Sequence, residues 1–173
     1  MSLRIRVVCT TSVATVTPEL LASAMAGRLP VLAARYAPTD EEDPRQVLVR
    51  LRIEREEGQG FGVWSIVWSA DAQRRIRVDR WVGGTAGQER RDLHDVLVGR
   101  EDEAAVRVRE VLHRTQEVVC FELGLRDGST MAWPVAMAAA AALALVGGGL
   151  IRADGEGWLE PKSKDVELVL PER

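Results

Sequence analysis

The chain has 173 residues, 46% of them hydrophobic and 28% charged, proportions of an ordinary globular protein that exclude a disordered, collagen-like or coiled-coil chain. That length predicts one domain, residues 1–173, able to bury roughly 70% of the surface its unfolded form would expose. Twenty-three basic against 26 acidic side chains leave a net charge of −3, so the overall attraction that drives binding to nucleic acid or an anionic membrane is missing and neither partner is expected.

Leu3, Ile5 and Val7 alternate with Arg4 and Arg6 before Val8 and Cys9 turn fully apolar, which predicts a first strand with one wet face. The same arginines interrupt any secretory signal. Cys9 and Cys120 each sit in an apolar run without metal or redox spacing, so reduced core thiols and a cytoplasmic location are expected. Nearly all basic residues are arginine, with lysine only at Lys162 and Lys164, a bias expected of a GC-rich bacterial genome.

Thr17-Pro18-Glu19 combines an N-cap hydroxyl, a proline with helical φ already set and a carboxylate at the positive end of the dipole. A helix therefore starts there, with Leu20, Leu21, Ala24 and Met25 as its apolar stripe and Gly27 as its stop. Pro30 allows a second short turn through Tyr36, and Pro38 to Pro44 reads as a charged loop. From Val47 the alternation of Val47, Val49, Leu51 and Ile53 with Arg50, Arg52, Glu54 and Glu56 predicts a long half-exposed strand. Gly58-Gln59-Gly60 turns the chain into a strand over 61–69, expected to be central, and a polar turn at 71–73 leads into another over 74–82. These second to fourth strands read as a meander.

Thr85 with Gln88 three residues on has the spacing of a capping box, and Leu93, Val96 and Leu97 follow at helical spacing to Gly99. A helix from Asp102 to Arg114 buries Ala105, Val108, Val111 and Leu112, and its acidic start suits the macrodipole. Glu117 to Leu125 is a strand. Gly128 to Ile151 carries no charge, yet Pro134 and Gly147-Gly148-Gly149 bound a helix near Met131 to Val146 that is too short to span a bilayer. It reads as a core helix, one side against the sheet and one outer side. A short strand at Leu150 to Arg152, a turn at Asp154 to Gly157 and a last edge at Val166 to Leu170 complete an α+β fold, mostly antiparallel, with about four helices.

No motif fixes a chemistry. His94 and His113 lie in amphipathic helices without a His-x-x-x-His or His-x-Glu partner, and no serine occupies a Gly-x-Ser-x-Gly elbow. Gly83-Gly84-Thr85-Ala86-Gly87 lacks the spacing of a nucleotide loop and reads as a strand-to-helix turn. Asp154, Glu156 and Glu160, clustered with Trp158, are too short a ligand series for calcium, so no metal, no cofactor and no catalytic residue are expected. The five tryptophans are the oddest feature of the composition. Trp64, Trp68 and Trp81 on adjacent predicted strands, with Asp154, Glu156 and Trp158 at the late turn, are the candidate binding residues, on the reading that the tryptophans share a face.

The segments 117–123 (Glu-Val-Val-Cys-Phe-Glu-Leu), 131–136 (Met-Ala-Trp-Pro-Val-Ala) and 149–158 (Gly-Leu-Ile-Arg-Ala-Asp-Gly-Glu-Gly-Trp) resemble stretches of small bacterial immunity-type proteins. The resemblance covers parts of the C-terminal third and carries over no functional residue. It implies a cytoplasmic, non-catalytic module that binds and neutralises a toxin. Two readings stay open: a protein-binding module with no cofactor whose acidic loop from Asp40 to Asp43 or exposed strand meets a partner, or a small-ligand or enzymatic domain whose pocket lies between the tryptophan-bearing face and the helices, with Asp154, Glu156 and His94 as its polar groups. The oligomeric state is open on either.

Overall fold

The structure, a computed structural model, describes residues 2–37, 42–55, 64–71 and 74–172. Eight strands form one antiparallel sheet: β1 (Ser2–Cys9), β2 (Arg52–Arg55), β3 (Trp64–Val67), β4 (Arg75–Val82), β5 (Glu117–Gly124), β6 (Leu150–Ala153), β7 (Gly157–Pro161) and β8 (Val166–Pro171). Their order is β2-β3-β4-β5-β1-β6-β7-β8. The fold is thus α+β, and β2, β3 and β4 do follow one another as neighbours. The centre, however, is β5 beside β1, and β3 lies one strand from the edge, not in the middle.

Six α-helices occur among the described residues, against about four expected: α1 (Pro18–Ala26), α2 (Leu29–Tyr36), α3 (Pro44–Arg50), α4 (Gly83–Asp95), α5 (Glu103–Arg114) and α6 (Ala132–Val146). The largest correction is α3, which replaces the first half of the long strand read from Val47. The Asp43 carboxylate accepts from Arg45 N at 2.9 Å and Pro44 occupies the first helical turn, so the helix start is chemically specified. Val47 is buried and Val49 is 90% exposed, as helical residues two apart should be. Only residues 52–55 remain as strand, and the glycine turn and residues 61–63 lie outside the described residues.

Thr17 caps α1 as expected, its hydroxyl accepting from Leu20 N at 3.3 Å, but Leu20 points to solvent and only Leu21 and Met25 of the stripe are buried. The predicted box at Thr85 does not form. Gly83 takes φ +57°, which glycine tolerates at no steric cost, and this turns the chain into α4 three residues early. Gln88 then donates to Asp92 and accepts from Arg91 on the exposed surface. Asp102 does cap α5, accepting from Ala105 N at 2.9 Å.

Strand parity divides the core in two. On one face Ile5, Val7, Val119, Phe121, Ile151 and Leu159 pack under α6, and α1 and α2 cover α6 from outside. On the other, Val8, Val118, Leu150 and Trp158 pack under Ala86 and Leu93 of α4 and Ala105, Val108 and Leu112 of α5. Every residue of α6 from Ala132 to Ala144 is buried, so the expected outer side does not exist. Alanine permits this, because small side chains let helix and sheet backbones approach closely. Just after the helix a Cβ on Gly149 would fall 1.8 Å from Val8 O, so only glycine fits there. Among the described residues no helix is long and apolar enough to cross a membrane.

Both cysteines are free and buried. Burial pushes each thiol up to about 12; the Glu117 charge adds to this at Cys9, while Arg6 and Arg4 oppose it at Cys120. Since the thiolate is the reactive form, a thiol reagent such as Ellman's at pH 8 is expected to label neither cysteine in the native protein and both in urea. Rapid stoichiometric labelling without denaturant would contradict this burial.

Candidate functional site

The tryptophans do not converge. Trp64 pairs with Val78 across β3 and β4, which puts it, Trp68 and Ile66 in the core under α6. Trp81 is three positions on from Val78 and therefore on the opposite face, half-buried beside the second core that also holds Trp158. Asp154 closes a turn: its carboxylate accepts from Arg4 N at 3.0 Å and from Arg6 Nη1 at 2.9 Å, and its own N–H donates to Arg4 O. Glu156 is half-buried in the same turn, where its carbonyl accepts from Glu172 N. Four of these six residues are packing elements, and the two carboxylates belong to the β6–β7 turn. Among the described residues no group of three His, Cys, Asp or Glu is placed to hold a metal.

An open groove lies instead on the outer side of the α4–α5 pair. Two geometric ties show that the helices run antiparallel: Arg90 of α4 reaches His113 O at 3.5 Å, while Arg109 of α5 reaches back to Leu97 O and Arg100 O beyond the end of α4 at 3.3 and 2.6 Å. Each helix buries its apolar stripe on the sheet, so the neighbouring stripe is left facing outward. On α4 this is Arg90, Arg91 and His94. On α5 it is Val106, Arg109, Glu110 and His113, spaced i, i+3, i+4 and i+7 along one face, followed by Arg114. Together they line a groove of about 710 Å³.

Its electrostatics set it apart from the rest of the surface. Four arginines and both histidines of the chain face one glutamate. Among the described residues none of these four arginines has a carboxylate within ion-pair distance; Arg91 holds Gln88 Oε1 at 2.6 Å, Arg114 holds Glu110 O at 3.4 Å, and the others hold the carbonyls just named. Several charges elsewhere are matched locally. Arg6 lies between Glu89 at 2.6 Å and Asp154, and Arg80 holds Glu117 at 2.5 Å. An acidic cleft of about 460 Å³ beside the start of α5, lined by Asp102, Glu103, Glu160 and Glu167, is compensated by Arg107 and Lys162, which hold Glu160 below the usual carboxylate range, Lys162 most strongly.

Unpaired guanidinium groups on a half-exposed wall can take carboxylates or phosphates by bidentate hydrogen bonds. Among the described residues neither imidazole is hydrogen-bonded to a carboxylate, hydroxyl or thiol, so neither is oriented as a general base acting on a nucleophile. Sequence reasoning passed over this site by weighing each histidine alone against motif spacing. The spacing of Val106, Arg109, Glu110 and His113 was visible, but their meeting with Arg90, Arg91 and His94 is a fact of tertiary packing. No protein-family model, curated protein or solved structure matches this chain.

Proposed function

We propose that this chain is a non-catalytic protein-binding module that holds an acidic segment of a partner protein in the α4–α5 groove. One observation carries the reading: on a chain of net charge −3, four arginines without carboxylate partners and both histidines gather in a single open groove. Such a patch steers an acidic partner and raises its on-rate. A long nucleic acid is disfavoured, because the acidic surface beyond the groove would repel a polyanion that outruns it. A toxin bound and neutralised in the cytoplasm, the partner type implied by the immunity-protein resemblance, fits this scheme when its contact surface is acidic.

The probe is a fluorescent twelve-residue oligoglutamate, measured by anisotropy at 50 mM salt. Saturable binding is expected, weakened at least tenfold by the double variant Arg90→Glu, Arg91→Glu and by 300 mM salt, with the thermal melt of the variant unchanged because surface changes alter stability little. No binding, or binding indifferent to the charge reversal, overturns the reading. Tighter binding of a single-stranded oligonucleotide of equal charge would make the groove a nucleic-acid site.

A further inference from the structure

One carboxylate stands among the cations of the groove. Glu110 lines it together with the four arginines and both histidines, yet among the described residues its carboxylate makes no ion pair and no hydrogen bond. The arginines that could neutralise it are turned elsewhere. Arg114 follows at four residues, the spacing at which a glutamate and an arginine ordinarily pair on a helix, but it donates to the Glu110 carbonyl at 3.4 Å, and Arg109 donates to Leu97 O and Arg100 O. Arg90 reaches His113 O, so in the antiparallel pair Glu110, three residues before His113, comes beside His94, four residues after Arg90. The Glu110 side chain is exposed and sits midway along the α5 wall, about 6 Å of helix rise from Arg114.

We infer that Glu110 is the specificity residue of the groove, selecting a segment that carries acidic residues over Arg90, Arg91 and Arg114 and a lysine or arginine over Glu110. This rests on the binding reading above and adds the residue that chooses among acidic segments. A uniformly acidic run would set one of its own carboxylates against Glu110, and like charges juxtaposed across an interface cost affinity and discriminate against that partner. A cation at this one place supplies the counter-charge that Arg109 and Arg114 leave unsupplied. It also fixes the register, because glutamates alone meet a cationic wall almost equally well at neighbouring offsets, whereas a single lysine has one matching position.

The test uses two fluorescent twelve-residue oligoglutamates, one with two central glutamates replaced by lysine and the other with the same two replaced by glutamine, measured by anisotropy at 50 mM salt. A groove that reads only net charge would favour the glutamine peptide, which is the more negative of the two. Wild type is instead expected to bind the lysine peptide about threefold more tightly, the size of effect that one added exposed ion pair gives. Glu110→Gln should abolish this preference and Glu110→Lys should reverse it, while Arg90→Glu weakens both peptides. Equal or tighter binding of the glutamine peptide by wild type, still weakened by Arg90→Glu, overturns the role of Glu110 and keeps the acidic-segment site. A lysine preference that survives Glu110→Gln overturns that role as well, since another group then reads the cation. Binding of neither peptide, or binding indifferent to Arg90→Glu, overturns both readings. Thermal melts of the variants that match wild type place the changes at the groove, and Glu110→Gln alone decides the question if Glu110→Lys melts early.

Discussion

Arginine at Ala139, Ala140, Ala141 or Ala142 is expected to leave the protein unfolded or insoluble, at each of the four positions and not only at those facing the sheet. Consecutive helical residues point about 100° apart, so these four sample every side of the cylinder, and all are buried, Ala142 the least so at 4% exposure. Beneath them lie β5, β1, β6 and β7; above them lie α1 and α2. Arginine there would overpack the layer, at a cost of about 1–3 kcal/mol or more, and would bury a charge with no partner, at a cost of several more. Against a total stability of roughly 5–15 kcal/mol the sum is decisive. Soluble yield and far-ultraviolet circular dichroism of the four single variants check it, with Ala140→Leu separating the size effect from the charge. A soluble, cooperatively melting Ala142→Arg would reveal an outer side to α6.

That helix was also the most legible element of the chain, and the reason is physical. A stretch without charge, bounded by Pro134 and three glycines, has few ways to satisfy its backbone other than as a buried helix. Its full enclosure was not legible, because α1 and α2 return over it from a distant part of the sequence. The segment from Val47 differs for the opposite reason: apolar residues at i, i+2, i+4 and i+6 span the end of α3 and the start of β2, and a period measured across a junction belongs to neither element. The Asp43-Pro44 pair, which the sequence pattern places at the end of a charged loop, holds the better signal. For the tryptophans the parity was already in the sequence, since Trp81 alternates with Arg80 and so falls on the face opposite Ile76 and Val78 within the same strand. The basic groove lay beyond reach, because it exists only where two helices from a hairpin turn their outer stripes toward each other.

Removing the Glu117 carboxylate as Glu117→Ala is expected to cost about 3–5 kcal/mol, as breaking a buried ion pair from one side does. Glu117 is only 5% exposed. It accepts from Arg80 Nε at 2.9 Å and Nη2 at 2.5 Å and from the buried Val13 N at 3.1 Å, so it fastens the segment after β1 to the start of β5. Its loss would strand a guanidinium and an amide together, and an orphaned buried amide alone costs about 1–3 kcal/mol. Burial pushes the carboxyl upward, but the hydrogen bonds from Arg80, Ser12 and Val13 N outweigh it and hold Glu117 below the usual carboxylate range. A carboxylate depressed in the folded state stabilises fully above its unfolded titration, near pH 4.3, and that contribution fades as pH falls through the folded value. Urea melts from pH 7 to pH 3 should therefore show wild type losing part of its advantage over Glu117→Gln as the solution is acidified, with Gln milder than Ala at pH 7. In a double-mutant cycle with Arg80→Ala, the two losses should fall short of additivity by more than about 1 kcal/mol, since each single change already breaks the pair. A pH-independent gap between wild type and Glu117→Gln, or full additivity with Arg80, would mean that the clamp is held by packing and not by charge.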